Sequence, residues 1–153
     1  MALKKVEQIL KQEGLPATSH IDTETDYYLW WKDMVKKYPA SEGNTTDFVL
    51  QDKNGVSILF DATPDKRKAT TYFKDHIIAK KVEARHEYAA NIEAIITQAD
   101  EVWYNATEWK YLKYFNDGLY VVIVEKDNVV RAVTMYKVDA ENYFKLRKGV
   151  LIK

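Results

Sequence analysis

The chain has 153 residues, and its 23 Lys and Arg side chains balance 23 Asp and Glu side chains, so there is no overall charge to attract nucleic acid or membranes. Cysteine is absent, which excludes disulfides, thiolate metal sites and a cysteine nucleophile. The 46% hydrophobic and 13% aromatic content predicts a folded domain with a substantial core, and any polyanion site must be local.

Two helices are predicted near the start of the chain. Apolar residues at helical spacing predict the first helix over residues 3–13. The second, over residues 27–38, ends before Pro39. Its aromatic side chains recur at helical spacing, which favours core packing over a base-stacking platform. We therefore predict an N-terminal helical segment over residues 1–46 and a second domain over residues 47–153, with folding as one unit as the alternative.

A β-hairpin is predicted next. Two apolar runs, at residues 47–51 and 56–60, lie on either side of a polar segment that contains Asn54-Gly55. This dipeptide is typical of a tight turn between antiparallel strands. The two runs are therefore expected to pair.

A long helical region follows the hairpin. Apolar side chains from Phe73 to Ile95 fall within roughly a 100° arc, as on a helix that packs against a core. Cations lie in or beside this stripe: Lys80, Lys81 and Arg85. Either their stems extend to water, or the helix breaks near Lys80 and presents them to a site. A solvated flank is the more common arrangement.

The C-terminal part predicts an antiparallel meander and a closing helix. The strands are expected at residues 101–104, 109–115, 119–125 and 129–138, and the helix at 139–148. Residues 119–124 are continuously apolar, so that strand should be buried on both faces. The predicted fold is α+β: N-terminal helices, then a four-stranded or slightly larger antiparallel sheet with helices packed on one face.

The chain lacks the usual sequence signatures of a cofactor or catalytic metal. Glycine-rich phosphate loops are absent, and the histidines at 20, 76 and 86 do not have zinc-ligand spacing. The remaining chemistry would use His, Lys, Arg, Tyr and hydroxyl groups. Such a set is what RNA cleavage without a metal requires: an acid, a base and cations for the charge on the phosphate.

Candidates for these roles lie in the helical region and on the last strand. His76 can act as acid or base, and Lys80, Lys81 or Arg85 can supply the cation. Thr134 or Tyr136 can orient the phosphate or donate a proton. Taken alone, a histidine at the edge of an apolar helix face is more often structural.

The order of these residues resembles a known family. The pattern comprises Phe73-x-x-His76-Ile, Arg85-x-x-Tyr88, Ile92, Ile95, Asp100-Glu-Val-Trp103, Tyr111-x-Lys113-Tyr-Phe115, an apolar strand, Thr134-x-Tyr136 and Lys145-x-Arg147-x-Gly149. Over residues 47–153 it is similar to the phage-associated members of the barnase, EndoU, colicin E5/D and RelE-like nucleases. Domains of this kind are often carried at the end of phage head-morphogenesis proteins or bacterial toxins.

The resemblance implies helices followed by a four-stranded antiparallel sheet, with an active cleft between them and metal-independent RNA cleavage. It implies these catalytic residues: His76, Arg85, Thr134 and Tyr136. Substrate-binding roles are expected for Lys80, Lys81 and Lys113. His76 and Arg85 are nine residues apart, about 180° around a straight helix, so both can reach one site only if the helix breaks. We predict that break between Ala79 and Ala84.

The leading hypothesis is a toxin-type ribonuclease that cleaves RNA, with tRNA among its candidate substrates, through a 2′,3′-cyclic phosphate. Toxicity would imply a cognate immunity protein, expected to be acidic. One alternative is a non-catalytic phage or mobile-element module that binds protein or nucleic acid on the same fold. Another is an interaction module with an exposed face formed by Tyr28, Trp31 or Trp109.

The longest apolar run, residues 119–124, is far shorter than a membrane span needs, and the N-terminus lacks a signal-like apolar block. A soluble, cytoplasmic protein is expected, with delivery by a phage or as a toxin as the alternative.

Overall fold

The computed structural model describes residues 3–62, 72–79, 83–126 and 128–152. Its α-helices are α1 (Val6–Leu10), α2 (Glu24–Lys37), α3 (Phe73–Ala79), α4 (Ile92–Thr97) and α5 (Tyr143–Leu146). Two 3₁₀ helices, Arg85–Asn91 and Ala140–Asn142, lead directly into α4 and α5. The strands are β1 (Phe48–Gln51), β2 (Ser57–Phe60), β3 (Glu101–Asn105), β4 (Glu108–Phe115), β5 (Gly118–Lys126), β6 (Val130–Lys137) and β7 (Val150–Ile152). The predicted α+β class is confirmed.

The described strands form one sheet in the order β1-β2-β6-β5-β4-β3-β7. Strands β3 to β6 are the predicted antiparallel meander. The predicted hairpin of β1 and β2 joins its edge through a parallel contact between Leu59 and Arg131. At the other edge β7, which the sequence did not predict, pairs antiparallel with β3. The sheet is therefore larger than the four strands of the meander.

A large core lies between one face of the sheet and helices α2, α3 and α4. Aromatic side chains dominate it, and the rings of Phe48 and Phe60 stack with centroids 4.7 Å apart. The N-terminal segment belongs to this same core, because Tyr27 and Trp31 of α2 are buried in it. We propose that residues 1–46 and 47–153 fold as one unit. A single transition in denaturant-induced unfolding, followed by both fluorescence and circular dichroism, would test this proposal.

A smaller core covers the opposite face of the sheet. Val6 of α1 and Leu146 of α5 pack there against Leu119 and Val121 of β5. The alternate β5 side chains belong to the main core. Strand β5 is therefore buried on both faces, as its apolar run predicts. No helix in the described ranges is both long enough and apolar enough to cross a membrane.

The long helical region is interrupted where the nuclease hypothesis predicted a break. Helix α3 ends at Ala79, and a 3₁₀ helix begins at Arg85. Between them, Ala84 has φ 50° and ψ 39°, a left-handed conformation that cannot continue a right-handed helix. The direction of the chain therefore changes between His76 and Arg85.

Gly149 permits the close approach of β7 to β3. Its φ is +96°, and a methyl group at this position would overlap with the backbone carbonyl of Tyr104. We expect Gly149→Ala to lower the free energy of unfolding by about 3 kcal/mol, because the backbone conformation is strained and the strand must also shift.

Gly43 provides a matched control for this substitution. Its φ is +80°, but an added methyl group would meet nothing within 4 Å. Gly43→Ala should therefore cost only the backbone strain, about 1 kcal/mol. Equal losses in urea unfolding of the two variants would contradict the proposed clash at Gly149.

A buried ion pair ties α5 to β3. Arg147 donates through Nε and Nη2 to the two carboxylate oxygens of Glu101, at 2.9 and 2.6 Å. Tyr114 and Trp103 donate to the same carboxylate. Burial acts to raise the pKa of Glu101, but the hydrogen bonds from Arg147, Tyr114 and Trp103 outweigh it and leave the pKa below its ordinary value.

This depressed pKa predicts a pH dependence of stability. A carboxylate with a lowered folded-state pKa stabilises the fold above its unfolded pKa of about 4.3, and this stabilisation is lost as the pH falls through the folded pKa. Glu101→Gln should cost about 3 kcal/mol at pH 7, because it leaves the Arg147 charge buried without its partner. In urea unfolding from pH 7 to pH 3, the difference between wild type and variant should narrow below pH 4.3; a constant difference would contradict the assignment.

Candidate active site

His76, Arg85 and Thr134 meet at a single hydroxyl group. Arg85 Nη1 donates to Thr134 Oγ1 at 2.6 Å, and His76 Nε2 lies 3.1 Å from the same oxygen. The three side chains come from α3, the first 3₁₀ helix and β6. The structure thus brings together three of the four residues that the family resemblance implied to be catalytic, and the break in the helical region makes this possible.

An irregularity in β6 sets the direction of Thr134. Ala132 is opposite Val124, whereas Thr134 is opposite Ile123, so Val133 has no partner in the register and forms a bulge. In a regular strand Thr134 would share the face of Ala132, which lies in the main core. The extra residue reverses this alternation and frees the Thr134 hydroxyl from the core.

Arg85 is held from three sides. Its Nε and Nη2 both bond to the carboxylate of Glu83, and its guanidinium carbon lies 5.1 Å from the ring centroid of Tyr136. Together with the Thr134 bond, these contacts leave the Arg85 side chain only 13% exposed. A guanidinium held in this way is ordered before any ligand binds, which is what stabilisation of a phosphate charge requires.

Tyr136, the fourth predicted residue, lies under the Arg85 guanidinium. Burial raises the pKa of Tyr136 above its ordinary value, although the nearby Arg85 charge opposes the rise. The phenol therefore keeps its proton at neutral pH and can donate a hydrogen bond.

A cleft of about 650 Å³ opens beside this group. It is lined by Glu83, Arg85, Tyr88, Met135, Tyr136, Lys137, Asp139, Asn142, Lys145 and Leu146. The volume is in the range of small-ligand sites. Arg85 and Tyr136 form part of its wall, whereas His76 and Thr134 connect to it through the hydrogen bond between Thr134 and Arg85.

Some of these residues escaped the sequence analysis. Glu83 is two positions from Arg85, a spacing that places two side chains on different sides of a helix. Here the left-handed Ala84 between them interrupts the helix, and the two side chains pair. Asn142 and Lys145 belong to the closing helical segment, which the sequence placed correctly without indicating what it faces.

Of the three lysines predicted to bind substrate, the structure describes Lys113, which is not among the residues that line the cleft. Lys113 donates to the carbonyl of Gln98 at 3.0 Å and lies 4.0 Å from Asp100. A cation at the carbonyl end of α4 stabilises that helix, so these contacts give Lys113 a structural role. Lys80 and Lys81 lie outside the described residues.

The other two histidines have different surroundings. His20 lies between the carboxylates of Asp22 and Glu87, at 3.0 and 2.8 Å, in an exposed cluster. His86 packs edge-on against Tyr27 in the main core region. Of the three histidines, His76 is the one that contacts Thr134.

Within the described residues, no group of three or more His, Asp and Glu side chains is placed to hold a metal ion. The groups gathered near Thr134 are an imidazole, a guanidinium, a hydroxyl and a phenol. These groups can exchange a proton and bind an anion, the two functions that phosphodiester cleavage needs.

Comparison with known proteins identifies the family. The model of the family described as phage-Barnase-EndoU-ColicinE5/D-RelE like nuclease 2 matches residues 39–152, a range that includes His76, Arg85, Thr134 and Tyr136. No curated protein and no solved structure gives a significant match. The family match covers most of the chain and confirms the resemblance seen in the sequence. The chain belongs to the phage-Barnase-EndoU-ColicinE5/D-RelE like nuclease 2 family.

Proposed function

We propose that this nuclease-family chain is a metal-independent endoribonuclease that cleaves RNA through a 2′,3′-cyclic phosphate. The observation that carries the proposal is the meeting of His76 and Arg85 on the Thr134 hydroxyl beside a cleft. In this reaction the 2′-hydroxyl of a nucleotide attacks the adjacent phosphorus, and the bond to the 5′-oxygen of the next nucleotide breaks.

His76 transfers the proton. As a base it takes the proton of the attacking 2′-hydroxyl, and as an acid it gives a proton to the departing 5′-oxygen. An imidazole suits either role near neutral pH, because its ordinary pKa is about 6.5. His76 would be the general acid or base, with water or a side chain of the cleft completing the pair.

Arg85 stabilises the charge that develops on the phosphate. Its guanidinium has five N–H donors. Bonds to Glu83 and Thr134 occupy Nε and one N–H of each terminal nitrogen, so the other two N–H groups can point to a phosphate. Tyr136 supports the guanidinium from below and can add a hydrogen bond from its protonated phenol.

Thr134 positions the other two groups. The Thr134 hydroxyl oxygen accepts a hydrogen bond from Arg85. Depending on the tautomer of His76, the Thr134 O–H donates a hydrogen bond to Nε2, or Nε2–H donates to the Thr134 oxygen. In both arrangements Thr134 fixes the imidazole relative to the guanidinium. Such positioning contributes to catalysis because the reacting groups need not be ordered anew for each substrate.

The proposed substrate is RNA, with tRNA among the candidates, and the proposed place of action is the cytoplasm. The net charge of the chain is zero, so affinity must come from local cations. Arg85, Lys137 and Lys145 line one cleft and outnumber its two carboxylates, Glu83 and Asp139, so the cleft supplies a small local positive charge. A toxin-type role would require an immunity protein, and the same cations would suit an acidic one.

The test is to incubate the purified protein with total RNA and with tRNA in excess EDTA. Cleavage under these conditions supports a metal-independent ribonuclease. Intact RNA, from protein shown to be folded by circular dichroism, would contradict the proposal.

A binding module without catalysis is the second candidate. It is favoured by the fact that His76 is not among the residues that line the cleft. RNA that is bound but remains intact would support this alternative. The interface hypothesis named Tyr28, Trp31 and Trp109. Tyr28 is 42% exposed, but Trp31 is only 2% exposed and Trp109 packs against the main core, so the three do not form one exposed face.

A further inference from the structure

An exposed aromatic ring lies on α5, the helix that also supplies Lys145 and Leu146 to the cleft. Phe144 of α5 is 64% exposed, although a phenylalanine ring of this size is normally buried. The ammonium groups of Lys145 and Lys148 each lie 5.9 Å from its ring centroid. The surface thus combines an accessible ring with two cations.

This combination matches the chemistry of a single-stranded nucleic acid. Bases stack on exposed aromatic rings, and lysines beside the ring pair with the phosphates. Stacking tolerates any base, because every base has a π face. An apolar protein surface could pack against Phe144 but would have to desolvate the two lysine charges beside the ring.

Lys145 joins this ring to the candidate active site. It lines the cleft that contains Arg85 and Tyr136, and it also contacts Phe144. An RNA strand with its scissile phosphate at Arg85 could therefore continue past Lys145 towards the ring.

The fold holds Phe144 in this exposed position. Its neighbour Leu146 is buried in the smaller core, and Arg147 forms the ion pair with Glu101. These anchors fix α5 on the sheet while Phe144 points outward. Because the backbone of α5 is anchored, little backbone freedom is lost when a base stacks on the ring.

We propose that Phe144, Lys145 and Lys148 form a subsite for a nucleotide that flanks the cleavage position in single-stranded RNA. The base stacks on Phe144, and the adjoining phosphates bind the two lysines. The choice of RNA as the occupant rests on the proposed function.

Binding of a fluorescein-labelled 2′-O-methyl oligoribonucleotide, measured by anisotropy, tests the subsite. The 2′-O-methyl group removes the attacking hydroxyl, so binding is measured without cleavage. We expect Phe144→Ala to weaken binding about tenfold through lost stacking, and Phe144→Trp to restore it. Leu29→Ala is the matched control, because Leu29 is 59% exposed on α2, and its binding should equal that of the wild type.

The outcomes separate this inference from the proposed function. Equal binding by wild type and Phe144→Ala, or no binding by the wild type, would overturn the subsite even if RNA is cleaved. The same holds if Phe144→Ala and Leu29→Ala lose equal affinity. Binding that depends on Phe144, from a wild type that leaves RNA intact in EDTA, would support the subsite and overturn the catalytic proposal.

Discussion

His76→Ala should lower the rate of RNA cleavage in EDTA by about 10²- to 10⁴-fold, the usual contribution of a general acid or base. The loss is expected in kcat, because His76 acts on protons that move during the reaction. The measurement is single-turnover cleavage of a labelled oligoribonucleotide, with the folded state of each variant checked by urea unfolding.

His20→Ala is the matched control for this substitution. His20 is a second histidine with two hydrogen bonds, but its partners are Asp22 and Glu87 and it does not contact Thr134. The His20→Ala variant should cleave RNA at nearly the wild-type rate. If His76→Ala retained full activity, His76 would have no part in the chemistry, and other residues would have to catalyse the cleavage.

Arg85→Ala should reduce kcat by about 10²- to 10³-fold, comparable to the loss of one preorganised donor to a developing negative charge. The substitution removes the cation from the cleft wall and also removes the Arg85 bonds to Thr134 and Glu83. Single-turnover rates at saturating RNA would show the loss in the chemical step.

Arg85→Lys distinguishes charge from geometry. Lysine keeps the positive charge but lacks the planar fork that reaches Glu83 and Thr134 together, so only part of the rate should return. Lys37→Ala removes an exposed cation that pairs with Asp33 on α2, and it should leave the rate unchanged. Equal losses for Lys37→Ala and Arg85→Ala would indicate a general charge effect and contradict a specific role for Arg85.

Much of the sheet was predictable because its signals are local. Asn54-Gly55 marks the first hairpin, and the apolar run of β5 marks a strand covered on both faces. Strand β7 was missed because three residues are too few to show the alternation of apolar and polar side chains that marks a strand. Its position depends on Gly149, whose close approach to Tyr104 is a tertiary feature.

The candidate site was predictable in part for a different reason. The family pattern and the geometry of a straight helix together required a break between His76 and Arg85, and Ala84 provides it. The partners of each cation could not be predicted, since they depend on tertiary contacts. Lys113 proved to contact a helix end, and Glu83 proved to hold Arg85.

Analysis of the ends of the cleaved RNA tests the proposed chemistry most directly. The wild-type protein is incubated with an oligoribonucleotide in excess EDTA, and the fragments are identified by mass spectrometry. Attack by the 2′-hydroxyl, with His76 moving the proton and Arg85 holding the phosphate, predicts a 2′,3′-cyclic phosphate on one fragment and a 5′-hydroxyl on the other. Fragments with a 5′-phosphate, or cleavage that stops in EDTA, would contradict this mechanism.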